Sequence, residues 1–296
     1  MPSPGARLRA AWTERPIMIP GAFNALTAKL AERLGFPAVY LSGGALSAGW
    51  AGVPDIGLLT LTEFADQAAI LAEATALPLL CDADTGFGEA INAARTVRLL
   101  ERAGAAGLHL EDQVLPKRCG HLTGKALISP EAMAAKLRAA CDARRDPDFV
   151  IVARTDARSV EGFDAAVARA REYVVAGADM IFPEALESAD EFARFARAVD
   201  FPKMANMTEF GRSPLLDFAE LASFGYRAVL YPLTALRAAM RAAEETLTHL
   251  RDHGSQRAML GRMQSRAELY DLIAYEVWEE RDQAYFTADP AGPDRP

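Results

Sequence analysis

From about residue 16 the chain alternates short apolar, often β-branched runs with longer Ala-, Arg- and Glu-rich stretches of helical period. Runs of the first kind at 17–21, 38–42, 77–83, 107–111, 149–154, 179–184, 202–207 and 228–232 predict strands. Between them, apolar positions three or four residues apart predict helices beginning near Ala25, Leu61, Ala90, Pro130, Gly162, Ala189, Leu215 and Thr234, each ending near Gly, Pro or a charged turn. Repeated strand–helix alternation is the pattern of an α/β protein with a parallel sheet, and eight units in about 250 residues is the count of a (β/α)8 TIM-type barrel. An open doubly wound sheet is the competitor, but no Gly-x-Gly-x-x-Gly follows the first strand. After the eighth unit, 256–282 predicts an extra helical region that packs on a neighbouring subunit or caps the barrel. Residues 283–296, containing Pro and Asp, predict a disordered tail. The expectation is one barrel domain over 1–296, with the barrel at about 8–255.

Composition narrows the class. Half of the 296 residues are hydrophobic (51%), enough for one large core. The formal net charge of −8 argues against nucleic acid or an anionic membrane surface as partner, so an anionic substrate needs a local cationic site. No apolar run reaches the roughly 18 residues of a bilayer span. Three cysteines, Cys81, Cys119 and Cys141, without an apolar N-terminal signal region predict a reduced, cytoplasmic protein with no disulfide framework.

In a barrel, chemistry collects where the strands end, so polar residues there carry information. The second strand ends in Tyr40-Leu41-Ser42-Gly43-Gly44, the third in Asp82-Ala83-Asp84-Thr85-Gly86-Phe87-Gly88, and the fourth in Glu111-Asp112. The fifth ends in Arg154-Thr155-Asp156, the sixth in Pro183-Glu184, the seventh in Asn206-Met207-Thr208, and the eighth in Tyr231-Pro232 with Arg237 beyond. Asp82, Asp84, Glu111 and Glu184 form a carboxylate cluster that would repel itself, and a hard divalent cation resolves the repulsion. Oxygen donors without spaced His or Cys favour magnesium over zinc. The structural alternative is an Asp capping the following helix and Glu184 paired with an Arg. Ser42-Gly43-Gly44 reads as a small-residue turn with backbone N–H groups available to an anion. Arg154, ending an apolar strand, needs an anionic partner from protein or substrate.

Downstream of the fourth strand stands Lys117-Arg118-Cys119-Gly120-His121. An inert, packed cysteine is the plainer reading of a lone thiol, but charged neighbours oppose burial and favour the thiolate, so Cys119 is predicted to be reactive. Gly120 and Gly124 suggest that this loop moves over the mouth as a lid.

Leu108-His109-Leu110-Glu111-Asp112-Gln113 with the cysteine pentapeptide, Tyr40-Leu41-Ser42-Gly43-Gly44 and Asp82-Ala83-Asp84-Thr85-Gly86-Phe87-Gly88 strongly resembles the isocitrate lyase/phosphoenolpyruvate mutase superfamily over residues 8 to 282. The resemblance implies a barrel with terminal helices exchanged between subunits, in a homotetramer. It implies Mg2+, or Mn2+ in its place, on Asp82 and Asp84, with Asp55 and Glu111 through water. Implied substrate-binding residues are Ser42, Gly43, Gly44, Cys119, Gly120, Arg154, Glu184, Asn206, Met207, Thr208, Arg237 and Arg266. Tyr40 falls near the substrate hydroxyl, and Phe182, Leu230, Tyr231 and Pro232 shape a pocket for an extra methyl. The cysteine loop is similar to that of the carbon–carbon lyases, and the implied reaction is cleavage of (2S,3R)-2-methylisocitrate, a tricarboxylate of propionate catabolism by the methylcitrate cycle, to pyruvate and succinate. Cys119 is expected to be the general acid, poised by Lys117, Arg118 and His121, with Tyr40, Glu184 or a metal-linked water as base and His121, Asn206, Thr208 and Arg237 stabilising charge. After His121 the chain reads Leu122-Thr123-Gly124-Lys125, which departs from the lyase pattern and keeps open a sibling activity on dimethylmalate, oxaloacetate or isocitrate. A non-catalytic, metabolite-binding barrel is the remote alternative.

Overall fold

The computed structural model describes residues 2–118, 120–122 and 124–287. Eight strands form where the apolar runs lie: β1 (Ile17–Pro20), β2 (Val39–Leu41), β3 (Leu79–Asp82), β4 (Gly107–Glu111), β5 (Val150–Thr155), β6 (Met180–Pro183), β7 (Met204–Asn206) and β8 (Ala228–Tyr231). β2 to β6 pair in sequence order, and β1, β8 and β7 form a second parallel group. Single parallel bridges, Gly21 with Tyr40 and Ile181 with Lys203, join the two groups and close the ring.

Alternation along the strands builds two cores. Leu108, Leu110, Ile151, Ala153 and Val229 face outward and pack with helix residues such as Phe64, Val97, Leu137 and Phe195. Tyr40, Leu80, Val152, Met180, Phe182 and Leu230 fill the barrel interior. Leu8 and Trp12 join that inner cluster from a helix absent from the sequence reading, Pro4–Glu14. Ser3 caps it by accepting from Ala6 N–H, Pro4 sits where a missing N–H costs nothing, and Arg9 pairs with Asp179 at 2.8 Å. This helix meets the interior from the amino ends of the strands, which leaves the carboxyl ends open for chemistry.

Three local expectations change. Ser42-Gly43-Gly44 is a capped helix start rather than a free turn: the Ser42 hydroxyl accepts from Ala45 N–H, and Gly43–Leu46 runs into a π-helical turn, Ser47–Ala51. The helix expected to begin near Leu215 begins at Phe218 and runs to Ser223. The final helix, Tyr275–Thr287, continues past residue 282, where a disordered tail was expected to begin; 288–296 lie outside the described residues.

The chain divides into two compact units, Met1–Met240 and Arg241–Pro296. The first holds the barrel. The second holds the 3-10 turn Arg257–Arg262 and the helices Arg266–Leu272 and Tyr275–Thr287. Among the described residues, no helix is long and apolar enough to cross a membrane.

Candidate active site

A pocket with a cavity volume of about 60 Å³ lies at the carboxyl ends of the strands. Its acidic wall is Asp55 and Asp82, with Asp84 and Glu111 buried beside it. Asp82 Oδ2 accepts from Gly43 N–H at 2.9 Å and Tyr40 O–H at 3.2 Å, and Oδ1 accepts from Asp84 N–H at 3.0 Å. Burial opposes ionisation of Asp82, but His109, Lys117 and Arg154 outweigh it and hold the carboxyl down to about 2. Asp84 goes the other way: burial, with Asp82 and Asp55 adding to it against Lys117, pushes it up to about 7. Its backbone is strained as well, at φ 45°.

Lys117, expected beside the thiol as its electrostatic activator, reaches the acidic wall. Its Nζ contacts Asp55 and stands 2.9 Å from Asp84. Arg154 finds its anions within the protein. The guanidinium grips Asp156 with two donors at 3.0 and 3.2 Å, stands 3.2 Å from Glu184 and 3.3 Å from Glu111, and covers the Phe182 ring at 5.2 Å. Asp156 is held in turn: Lys125 Nζ donates to it at 2.7 Å, and its own N–H donates to buried Asp112 at 2.9 Å. The sequence assigns no role to Lys125; the structure ties it to Asp156 and to the Gly120 carbonyl, so it pins the loop.

Cys119 and Thr123 lie outside the described residues, but the loop's flanks are placed. Gly120 allows close approach: a Cβ there would clash with both Arg154 Nη2 and Glu184 Cγ. His121 Nδ1 accepts from Arg212 N–H at 3.0 Å, which leaves the ring proton of a neutral imidazole on Nε2, 3.0 Å from Glu184 Oε1 though off the line of a good hydrogen bond. Glu184 also accepts from Asn206 Nδ2 at 3.2 Å. Burial works against its charge, but Arg154 and His121 prevail and hold its carboxyl well below the usual range.

The apolar part of the lining is Phe182, Leu230, Pro232 and Leu233, the last missed by the sequence reading. Tyr40, Ser42, Gly44, Gly120, His121, Arg154, Glu184, Asn206 and Thr208 all line the pocket. Met207 and Tyr231 do not; strand alternation turns them outward, into or against the helix-side core. Gly43 contributes through its N–H to Asp82. Arg237 pairs with Glu209 at 3.4 Å and stacks on Phe210 instead of lining the cavity. Arg266 begins an exposed helix of the second unit, behind its Ser265 cap.

Donor chemistry decides whether a metal suits the acidic wall. Among the described residues, six carboxylates (Asp55, Asp82, Asp84, Glu111, Asp156, Glu184) meet four full cations (Lys117, Arg118, Lys125, Arg154). Glu111 Oε1 is buried without a hydrogen-bond partner among the described residues, and burial raises its carboxyl against the pull of Arg154 and Lys117. As the side chains stand, no three acidic, His or Cys groups among the described residues converge on one point. Excess buried negative charge and an orphaned oxygen fit a hard divalent cation, which would compete with Lys117 for Asp55 and Asp84.

A family model described as phosphoenolpyruvate phosphomutase matches residues 8–251. A 2-methylisocitrate lyase of Aeropyrum pernix is 52% identical over 280 residues, covering 94% of this chain and 90% of that one. Among solved structures, 2,3-dimethylmalate lyase, a PEP mutase/isocitrate lyase superfamily member, is 33% identical with a TM-score of 0.90 over 100% of both chains. Phosphonopyruvate hydrolase in complex with oxalate and Mg++ is 32% identical with a TM-score of 0.88, over 97% of this chain and 100% of that one.

Proposed function

Because this chain belongs to the phosphoenolpyruvate mutase/isocitrate lyase superfamily, we propose that it is a carbon–carbon lyase cleaving (2S,3R)-2-methylisocitrate to pyruvate and succinate. The observation that carries the reading is the mixed lining of the pocket. Acids and cations suit a polyanionic 2-hydroxy acid, and Phe182, Leu230, Pro232 and Leu233 add apolar surface for a methyl group. Identity of 52% to a 2-methylisocitrate lyase against 33% to 2,3-dimethylmalate lyase supports this substrate over the smaller one.

Mg2+, with Mn2+ as substitute, would be held by Asp82 and Asp84, with Asp55 and Glu111 through water, and would polarise the 2-hydroxyl and its carboxylate. The protein's own groups do the rest. Tyr40 and Glu184, which line the pocket, are the candidates on the protein to take the hydroxyl proton. As the C2–C3 bond breaks, C2 becomes the keto carbon of pyruvate and the electron pair passes to C3 and its carboxylate. His121, Asn206 and Thr208 stabilise that charge, and Cys119 delivers the proton to C3. Arg154 is already saturated by Asp156, Glu111 and Glu184, so its first task is to order the acids; Arg118 and Lys117 are the further cations lining the cavity.

The partner beyond substrate is a second copy of this chain, in a homotetramer with exchanged terminal helices. Exposed Leu247, Leu260, Val277, Trp278, Tyr285 and Phe286 in the second unit support it. Cytoplasmic location fits the thiol chemistry.

Pyruvate release with Mg2+ tests the reading, comparing 2-methylisocitrate, isocitrate, 2,3-dimethylmalate and oxaloacetate, with Cys119→Ser alongside. Preference for 2-methylisocitrate, lost in the variant, is expected. Turnover of a smaller acid alone would overturn the substrate and keep the pocket.

A further inference from the structure

His109 is a fully buried titratable side chain in the barrel interior that the mechanism above leaves unused. Its ring stacks on Tyr40, with centroids 5.7 Å apart, and meets Phe182 edge-on at 5.4 Å. Nε2 stands 2.7 Å from the Tyr40 hydroxyl and 3.5 Å from Asp82 Oδ1, and the Tyr40 oxygen is 3.2 Å from Asp82 Oδ2. Nδ1 is buried with no hydrogen-bond partner among the described residues.

Counting protons decides the direction of this chain. A ring nitrogen that carries a proton donates and one that does not accepts, and a bare carboxylate oxygen can only accept. With the proton on Nδ1, Tyr40 would have to donate to Nε2. Its oxygen lone pairs would then face the Asp82 carboxylate, and a buried N–H would have no acceptor. With the proton on Nε2, the bonds run head to tail: His109 Nε2–H to Tyr40 Oη, and Tyr40 O–H to Asp82 Oδ2. Only a ring lone pair goes unmatched, and an orphaned acceptor is tolerated better than an orphaned donor.

We infer that His109 is a positioning residue for Tyr40: it donates from Nε2 and turns the tyrosine proton to Asp82, so that a lone pair of Oη faces the pocket to accept a hydrogen bond from the substrate's 2-hydroxyl. A phenol oxygen has two lone pairs. His109 occupies one and the substrate takes the other, so the reacting hydroxyl is oriented before its proton moves. The role of Oη toward substrate rests on the lyase reading; the direction of the hydrogen-bond chain does not.

Two measurements test it. In protein with 15N-labelled histidine, only four rings contribute, and His109→Gln identifies the one that disappears. The expected His109 ring carries a proton on Nε2, without and with Mg2+; a ring protonated on Nδ1 alone overturns the inference. The second is kinetic. Gln places an amide nitrogen the same number of bonds from Cα as Nε2, whereas Leu fills the space without a donor. In folded variants, His109→Leu should lower kcat by about tenfold or more with little change in KM, and His109→Gln should recover most of that loss. Equal losses in both variants, or none in either, count against the positioning role. Wild-type protein inert toward 2-methylisocitrate sinks the substrate reading instead, and the ring spectrum still decides the tautomer.

Discussion

Gly211 lies against the His121 ring so closely that a Cβ would stand 2.7 Å from Nδ1 and 2.9 Å from Cγ. The next residue, Arg212, donates its N–H to the same Nδ1 and its Nε to the His121 carbonyl at 3.3 Å. The turn after β7 therefore clasps the loop after β4, which positions the end of the Cys119 segment. Gly211→Ala should push the ring away from Glu184. The expected result is a loss of about tenfold or more in kcat/KM, equivalent to roughly 1.4 kcal/mol, with melting nearly unchanged. Wild-type turnover in that variant would show the clasp to be incidental.

Asp112 holds the layer beneath the site. Buried, it accepts from Thr155 Oγ1 and Tyr173 O–H, both at 2.8 Å, and from Asp156 N–H, and it stands 3.4 Å from Arg169. Asp112→Ala strands these donors, while Arg169 keeps its two-pronged pair with Glu161, and should destabilise the protein by about 1–3 kcal/mol in urea unfolding. Turnover should fall as well, since Asp156 loses the bond that aims it at Arg154.

Glu184 gives the acid limb of stability. Its carboxyl is depressed in the folded protein, so between the ordinary value of about 4.3 and the lower folded value the unfolded chain binds the extra proton. Stability from Glu184 is therefore complete above that ordinary value and is lost as pH falls through the folded one. Unfolding free energy of Glu184→Gln should depend less on pH below about 4 than that of the wild type. Parallel curves would mean that Arg154 and His121 do not hold the charge.

Metal removal separates the acidic wall from the rest. Chelation should abolish pyruvate release, and Mg2+ or Mn2+ should restore it. Metal at 100 times its Kd should add about 2.7 kcal/mol to unfolding, seen as a raised Tm. Asp84→Asn should lose both responses, and a Tm shift that survives the substitution would move the metal elsewhere.

The sequence by itself determined the eight strands and the set of chemically able side chains. Both are local: an apolar run of strand length is visible without its neighbours, and so is a polar residue where that run stops. Even the outward direction of Met207, between Asn206 and Thr208, follows from a period of two. The helix Pro4–Glu14 had a legible start, Ser3 followed by Pro4, but its reason for existing, closing the interior with Leu8 and Trp12, appears only when the ring of strands is formed. Tertiary structure alone decided the partners. Lys117 is 62 residues from Asp55, and Arg212 is 91 from His121. Which charge meets which acid depends on loops from different strands converging over one mouth, and on how much water burial removes there. Burial and neighbouring charges drive Asp82 down and Asp84 up although the two stand two positions apart on one strand end.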